Sequence, residues 1–166
     1  KIINLIYIDD LVEILLCIIK NNEIKHNKRI VILKNIYSEK LGDIIESIYR
    51  FKKSNKTLIL DNTGKGFLRA LYATYLSYLP IEEFDYKLNK HTDHRGSFVE
   101  FVKTSKSGQV SYFTAHPNIT RGGHFHHTKN EKFLVCKGVA RFKFKNLQNG
   151  EVQILEVSSK ESKVVN

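Results

Sequence analysis

Arg121-Gly122-Gly123-His124-Phe125-His126-His127-Thr128-Lys129-Asn130-Glu131, closed by Lys137-Gly138, carries two imidazoles and a carboxylate at a spacing that could grip one divalent metal. Side chains alternate along extended backbone, so His124 and His126 should project to one side and Phe125 to the other. Glu131 can return to that side after a short turn. Two neutral imidazole nitrogens and one carboxylate oxygen are a common ligand set for zinc or another first-row ion. The competing reading is a solvated histidine cluster on a surface strand, for which seven histidines leave room. The placement of Glu131 and the closing glycine favours the metal.

The elements that must position these groups change in texture partway along the chain. With 166 residues, 42% of them hydrophobic, there is enough chain for one ordinary core or for pieces of two domains. Lys1 to Ile8 reads as a compact apolar strand, with Asp9-Asp10 capping a helix that carries Leu11, Val12, Leu15, Leu16, Ile18 and Ile19. Arg29 to Leu33 reads as a further strand. Ser38 is placed to cap a helix whose Leu41, Ile44, Ile45, Ile48 and Phe51 recur at helical spacing. A third helix is expected from Gly66 to Leu79, ended by Pro80.

Beyond Pro80 the pattern becomes short alternating strands, and a domain boundary is expected there, giving parts 1–80 and 81–166. The candidate strands are Ser97–Val102, Gln109–Thr114, Lys132–Lys137, Val139–Phe144 and Glu151–Val157, with turns at Lys137-Gly138 and Gln148-Asn149-Gly150. Such spacing suggests a sandwich or small barrel.

Composition narrows the partners. The net charge of +10 and pI near 9.5 suit a polyanion, and a nucleotide diphosphate fits as well as a nucleic acid. The lysines are scattered and form no nucleic-acid module, so nucleic-acid binding is not expected. The longest apolar stretch, Leu11 to Ile19, contains Glu13 and is too short to cross a bilayer. Cys17 and Cys136 form no disulfide framework, which fits a cytoplasmic protein. No secretion signal is recognisable, and the lack of an initiator Met leads us to expect a natural start elsewhere.

Four segments resemble known families. His124-x-His126-x4-Glu131-x6-Gly138 resembles the first metal motif of the cupins, whose jelly-roll barrel holds a metal or sugar. The glycine that leads that motif is Asn118 here, and no second motif with its further His ligand follows before Asn166. Asp93-His94-Arg95-Gly96-Ser97-Phe98-Val99-Glu100 resembles the D-x-R-G-x-F-x-E strand of cupin-class nucleotide-sugar 3,5-epimerases, and Arg121-Gly122-Gly123-His124 their R-G-x-H strand. Asn4 to Glu13 is similar to the Y-I-D-D segment of extended short-chain dehydrogenase/reductases acting on nucleotide sugars. In this order, the pieces resemble the bifunctional capsular-polysaccharide enzymes, UDP-sugar C3-epimerase/C4-reductases, that make the precursor of N-acetyl-L-fucosamine.

The resemblance implies an α+β chain: an α/β portion of a Rossmann-like reductase domain, then an all-β cupin jelly roll incomplete at its C-terminus. It implies that Arg95, Phe98 and Glu100 help hold the nucleotide and that Arg121 reaches its phosphates, a task suited to a forked guanidinium. It further implies zinc on His124, His126 and Glu131, a UDP-linked 4-keto-6-deoxy sugar as substrate, and a homodimer in the parent protein. The G-x-x-G-x-x-G loop and Tyr-x-x-x-Lys pair of the reductases are absent here, so NADPH belongs only to the intact parent. His94 or Tyr112 is a candidate for moving a proton. By the R-G-x-H likeness His124 would be the base instead, a role that conflicts with metal ligation because a bound imidazole nitrogen has no free lone pair. The alternative function is a non-catalytic metal- or carbohydrate-binding cupin, or an inactive fragment.

Overall fold

The computed structural model describes residues 1–21, 33 and 35–166. Among these the chain is mixed α and β and divides into two compact units, Lys1–Arg121 and Gly122–Asn166. The strand expected over Arg29 to Leu33 lies, Leu33 apart, outside the described residues.

In the first unit, β1 (Ile2–Leu5) pairs antiparallel with β2 (Tyr37–Lys40). Helix α1 (Ile8–Asn21) begins earlier than expected, so Asp9 and Asp10 lie inside its first turn rather than capping it. Their charges still meet the positive end of the helix dipole. Ser38 is likewise not a cap: it lies in β2, where its hydroxyl donates to Asn4 Oδ1 at 2.8 Å. Helix α2 (Leu41–Thr57) starts instead after Lys40, whose backbone is extended. Pairing with β1 holds Ser38 in a ladder and moves the helix start past it.

Helix α2 packs on α3 (Gly66–Ser77) through an aromatic cluster. Phe51 is 3% exposed and meets Tyr72 edge-on at 4.9 Å and Tyr75 at 5.7 Å between ring centroids. Residue Leu58 ends α2 in the left-handed region (φ 61°), and the chain turns at once into β3 (Ile59–Leu60). After a single 3-10 turn at Ile81–Glu83 come β4 (Lys90–Asp93), β5 (Gly96–Thr104) and β6 (Gly108–Phe113). The long strand β5 organises this sheet, pairing antiparallel with β6 along one edge. Its other edge is divided between antiparallel β4 and parallel β3.

The second unit holds two small ladders. Strand β7 (Phe133–Leu134) pairs with β10 (Val164–Val165), and β8 (Val139–Lys145) pairs with β9 (Val152–Ser158), each antiparallel. The expected strand over Lys132–Lys137 shrinks to two residues because its partner β10 is itself only two residues long. Gly138 and Gly150 take φ values of 84° and 74°, as the two expected turns require. Val157 and Val165 form the buried centre, beside contacting rings of Phe133 and Phe142 at 5.7 Å. Among the described residues no helix is long and apolar enough to cross a membrane.

Candidate functional site: an arginine pair and a histidine-carboxylate trio

The first unit brings Arg95 and Arg121 to the same end of the β4–β5–β6 sheet. Residues His94 and Arg95 form the turn between β4 and β5, and Asp93 closes it by accepting the Arg95 backbone N–H at Oδ1, 2.8 Å. Asp93 Oδ2 then accepts from Arg95 Nε at 2.9 Å and Nη2 at 2.6 Å. These bonds, chiefly those from the Arg95 side chain, hold the Asp93 carboxyl down to about 2, and the charge of Arg121 adds to the effect. The same pairing raises the Arg95 guanidinium above its ordinary value.

Across the sheet end, Arg121 donates from Nη1 to the Thr114 carbonyl at 3.0 Å and lies over the Phe113 ring, 5.2 Å from its centroid. Thr114 is fixed in turn: its N–H donates to Ser97 O at 2.9 Å, and its hydroxyl accepts the Ser97 N–H at 3.0 Å. His116 N–H donates to Arg95 O at 3.1 Å. Gly96 makes this approach possible. At φ 135° it has room only for a hydrogen, since a Cβ there would lie 2.2 Å from the Thr114 oxygen.

The ladder register sorts the other expected residues by face. Phe98 stands opposite Phe113 on one side and His91 on the other, and Glu100 stands opposite Ser111, so these share one face. Tyr112 is paired with Val99 and therefore lies on the other face. Glu100 is held by Lys103 Nζ at 2.7 Å, which keeps its carboxyl below the usual range against partial burial. His94 is exposed in the turn itself.

The second unit holds the metal-type donors. His124, His126 and Glu131 each offer one ligand atom, and the three atoms lie within 4.8 Å of one another. The stretch 122–132 carries no strand, although alternation along extended backbone was expected for His124 to His126. The rings of His124 and His126 are 4.8 Å apart, and Phe125 meets His127 at 5.1 Å. His126 Nε2 is 3.8 Å from Glu131 Oε1. Two imidazoles and a carboxylate, all exposed, suit zinc in donor chemistry and in number for a site that keeps a position open.

Two positioning features escaped the sequence reading. The grip of Asp93 on Arg95 had a signal, since an Asp two residues before Arg-Gly is a common turn former through its side chain. The Thr114 carbonyl had none, being backbone.

Residues 91–166 match the family described as the polysaccharide biosynthesis C-terminal domain. The chain is 44% identical over 163 residues, 98% of its length, to UDP-2-acetamido-2,6-beta-L-arabino-hexul-4-ose reductase of Pseudomonas aeruginosa. It also resembles the capsular polysaccharide assembling protein CapF of Staphylococcus aureus, at 37% identity and a TM-score of 0.88 over 99% of the chain. A crystal structure of CapF with the inhibitor 3-isopropenyl-tropolone is equally similar, at 37% identity, a TM-score of 0.89 and 99% of the chain. The chain spans 43% of the Pseudomonas relative and 44% and 47% of the two CapF chains. Nearly the whole chain is thus similar to a portion, less than half, of each of these proteins.

Proposed function

We propose that the chain serves nucleotide-sugar biosynthesis for a capsular polysaccharide. Its cupin-type part, residues 81–166, epimerises C3 of a UDP-4-keto-6-deoxy-N-acetylhexosamine. In the longer protein a reductase part, to which residues 1–80 belong, then reduces C4 with NADPH. The observation that carries the reading is 44% identity, over 98% of the chain, to a protein named for reducing a UDP-linked hexul-4-ose.

C3 epimerisation removes a proton beside the C4 ketone and returns one from the opposite face, with negative charge developing on the ketone oxygen meanwhile. When bound on His124, His126 and Glu131, zinc would supply Lewis-acid charge. Arg95 and Arg121 would anchor the diphosphate, with Phe98 and Glu100 on the nucleotide. His94, in the same turn as Arg95, fits a proton-moving role better than Tyr112, which lies across the sheet from Phe98. His124 serves as ligand rather than base, since its donor atom converges with those of His126 and Glu131.

The experiment is solvent exchange. Incubating the purified chain with a UDP-4-keto-6-deoxyhexosamine in deuterium oxide should place deuterium at C3. Incorporation no faster than in buffer would refute the epimerase reading for this chain.

A further inference from the structure

A guanidinium receives a phosphate most effectively when it is held still before the ligand arrives, because immobilising a long side chain on binding costs affinity. Both arginines in the first unit are gripped on one side only. Asp93 Oδ2 occupies Nε–H and one Nη2–H of Arg95 at 2.9 and 2.6 Å. Arg has five N–H donors, so three remain, two of them on the outer edge of the fork. Arg121 is held comparably by the Thr114 carbonyl at 3.0 Å and by the face of Phe113. Gly96 ties the two grips together, since it neighbours Arg95 in the chain and alone lets the Thr114 carbonyl come so close.

We propose that Asp93 is a positioning residue for nucleoside diphosphate binding: it clamps Arg95 by its Nε edge and leaves the outer edge free for phosphate oxygens. The proposal rests on the reading of Arg95 as a phosphate ligand, and it makes a prediction opposite in sign to simple electrostatics. Replacing a carboxylate beside a phosphate site with a neutral amide raises the local positive charge, which by Coulomb attraction alone would tighten an anion. If Asp93 positions Arg95, the same change weakens it. Asp93→Asn keeps an oxygen to accept the Arg95 backbone N–H, so the turn can persist while the bidentate grip on the fork is lost.

The test is calorimetric titration of the full chain, wild type and Asp93→Asn, with UDP and with uridine. An NMR measurement of Arg95 Nε–H exchange without ligand accompanies it. The expected result is about tenfold weaker UDP binding by the variant, in line with loss of a charge-assisted hydrogen bond. Uridine binding should be unchanged, and the slowly exchanging Arg95 Nε–H should become fast. UDP binding by the variant as tight as wild type, or tighter, overturns the positioning role and leaves the nucleotide reading standing. Equal losses for UDP and uridine mean a purely structural residue and also overturn it. Absence of UDP binding by the wild type overturns the nucleotide reading and this role together.

Discussion

Arg95 and Arg121 are held by a meander whose strands bond to one another, whereas His124, His126 and Glu131 sit on a stretch outside any ladder. The arginine end is tied down within the first unit: Asp93 holds Arg95, while the Thr114 carbonyl and the Phe113 ring hold Arg121. The histidine trio is near coordination spacing without having reached it. Its donor atoms spread over 4.8 Å, while ligands about 2.1 Å from a tetrahedral ion lie about 3.4 Å apart. One site is organised by the fold, and the other would be organised by its ion. The difference teaches that side chains can be held ready by a bonded ladder in one stretch and left for an ion to draw together in another.

The largest effect that would break this contrast is on the metal. His126→Ala should lower zinc retained after gel filtration from stoichiometric to background, as measured by mass spectrometry, while the melting temperature of the metal-free chain stays put. Unchanged zinc would remove His126 from the ligand set. Next comes the glycine under the arginine end. Gly96→Ala combines a strained φ of 135° with a Cβ driven into the Thr114 carbonyl, and should destabilise the chain by about 3 kcal/mol in urea unfolding. A change below about 0.5 kcal/mol would show that the sheet end can yield, and that it is no more rigid than the histidine stretch.

A subtler measurement sharpens the contrast without any substitution. In amide hydrogen exchange, Thr114 and His116, which donate to Ser97 and Arg95, should be protected with or without zinc. The amides of 122–132 should become protected only on adding it. Protection of both sets in the metal-free chain would erase the distinction. The smallest effect is on pH. Asp93 titrates lower in the folded chain than the ordinary carboxylate near 3.9, so its contribution to stability is complete above about pH 4. That contribution fades as pH falls toward about 2, which carbon-detected NMR of the Asp93 carboxyl would follow. A midpoint at the ordinary value would mean that the grip on Arg95 is absent in solution.

Much of this was legible in the residues, for reasons that differ by element. The apolar repeat from Leu41 to Phe51 gave away α2, of which Ile44 and Phe51 are buried together with Ser47, while Leu41, Ile45 and Ile48 stay exposed. Strand β4 was missed because Lys-His-Thr-Asp is exposed at every position and carries no alternation. Strand β3 was missed because two residues cannot show a period. The histidine spacing was readable because residues two apart and a carboxylate five further on come within reach of one another even without a ladder. The departure at Asn118 also has a physical account: its φ of 61° is a conformation that glycine adopts freely and asparagine tolerates better than most. What no side-chain pattern could reveal was which rotamer of Arg95 Asp93 would select.

The divided edge of β5 bears on the order in which the sheet assembles. Pairing β4 with β5 and β5 with β6 closes only short turns, while joining β3 to β5 requires Leu58 and Lys103 to find each other across the helix α3 and everything between. Closure entropy grows with that separation, so local hairpins gain a head start over distant parallel partners. The three-stranded meander that seats both arginines can therefore form first. On that order β3 docks after the meander, and the Lys103 N–H that reaches the Leu58 carbonyl at 2.7 Å is the bond that joins them.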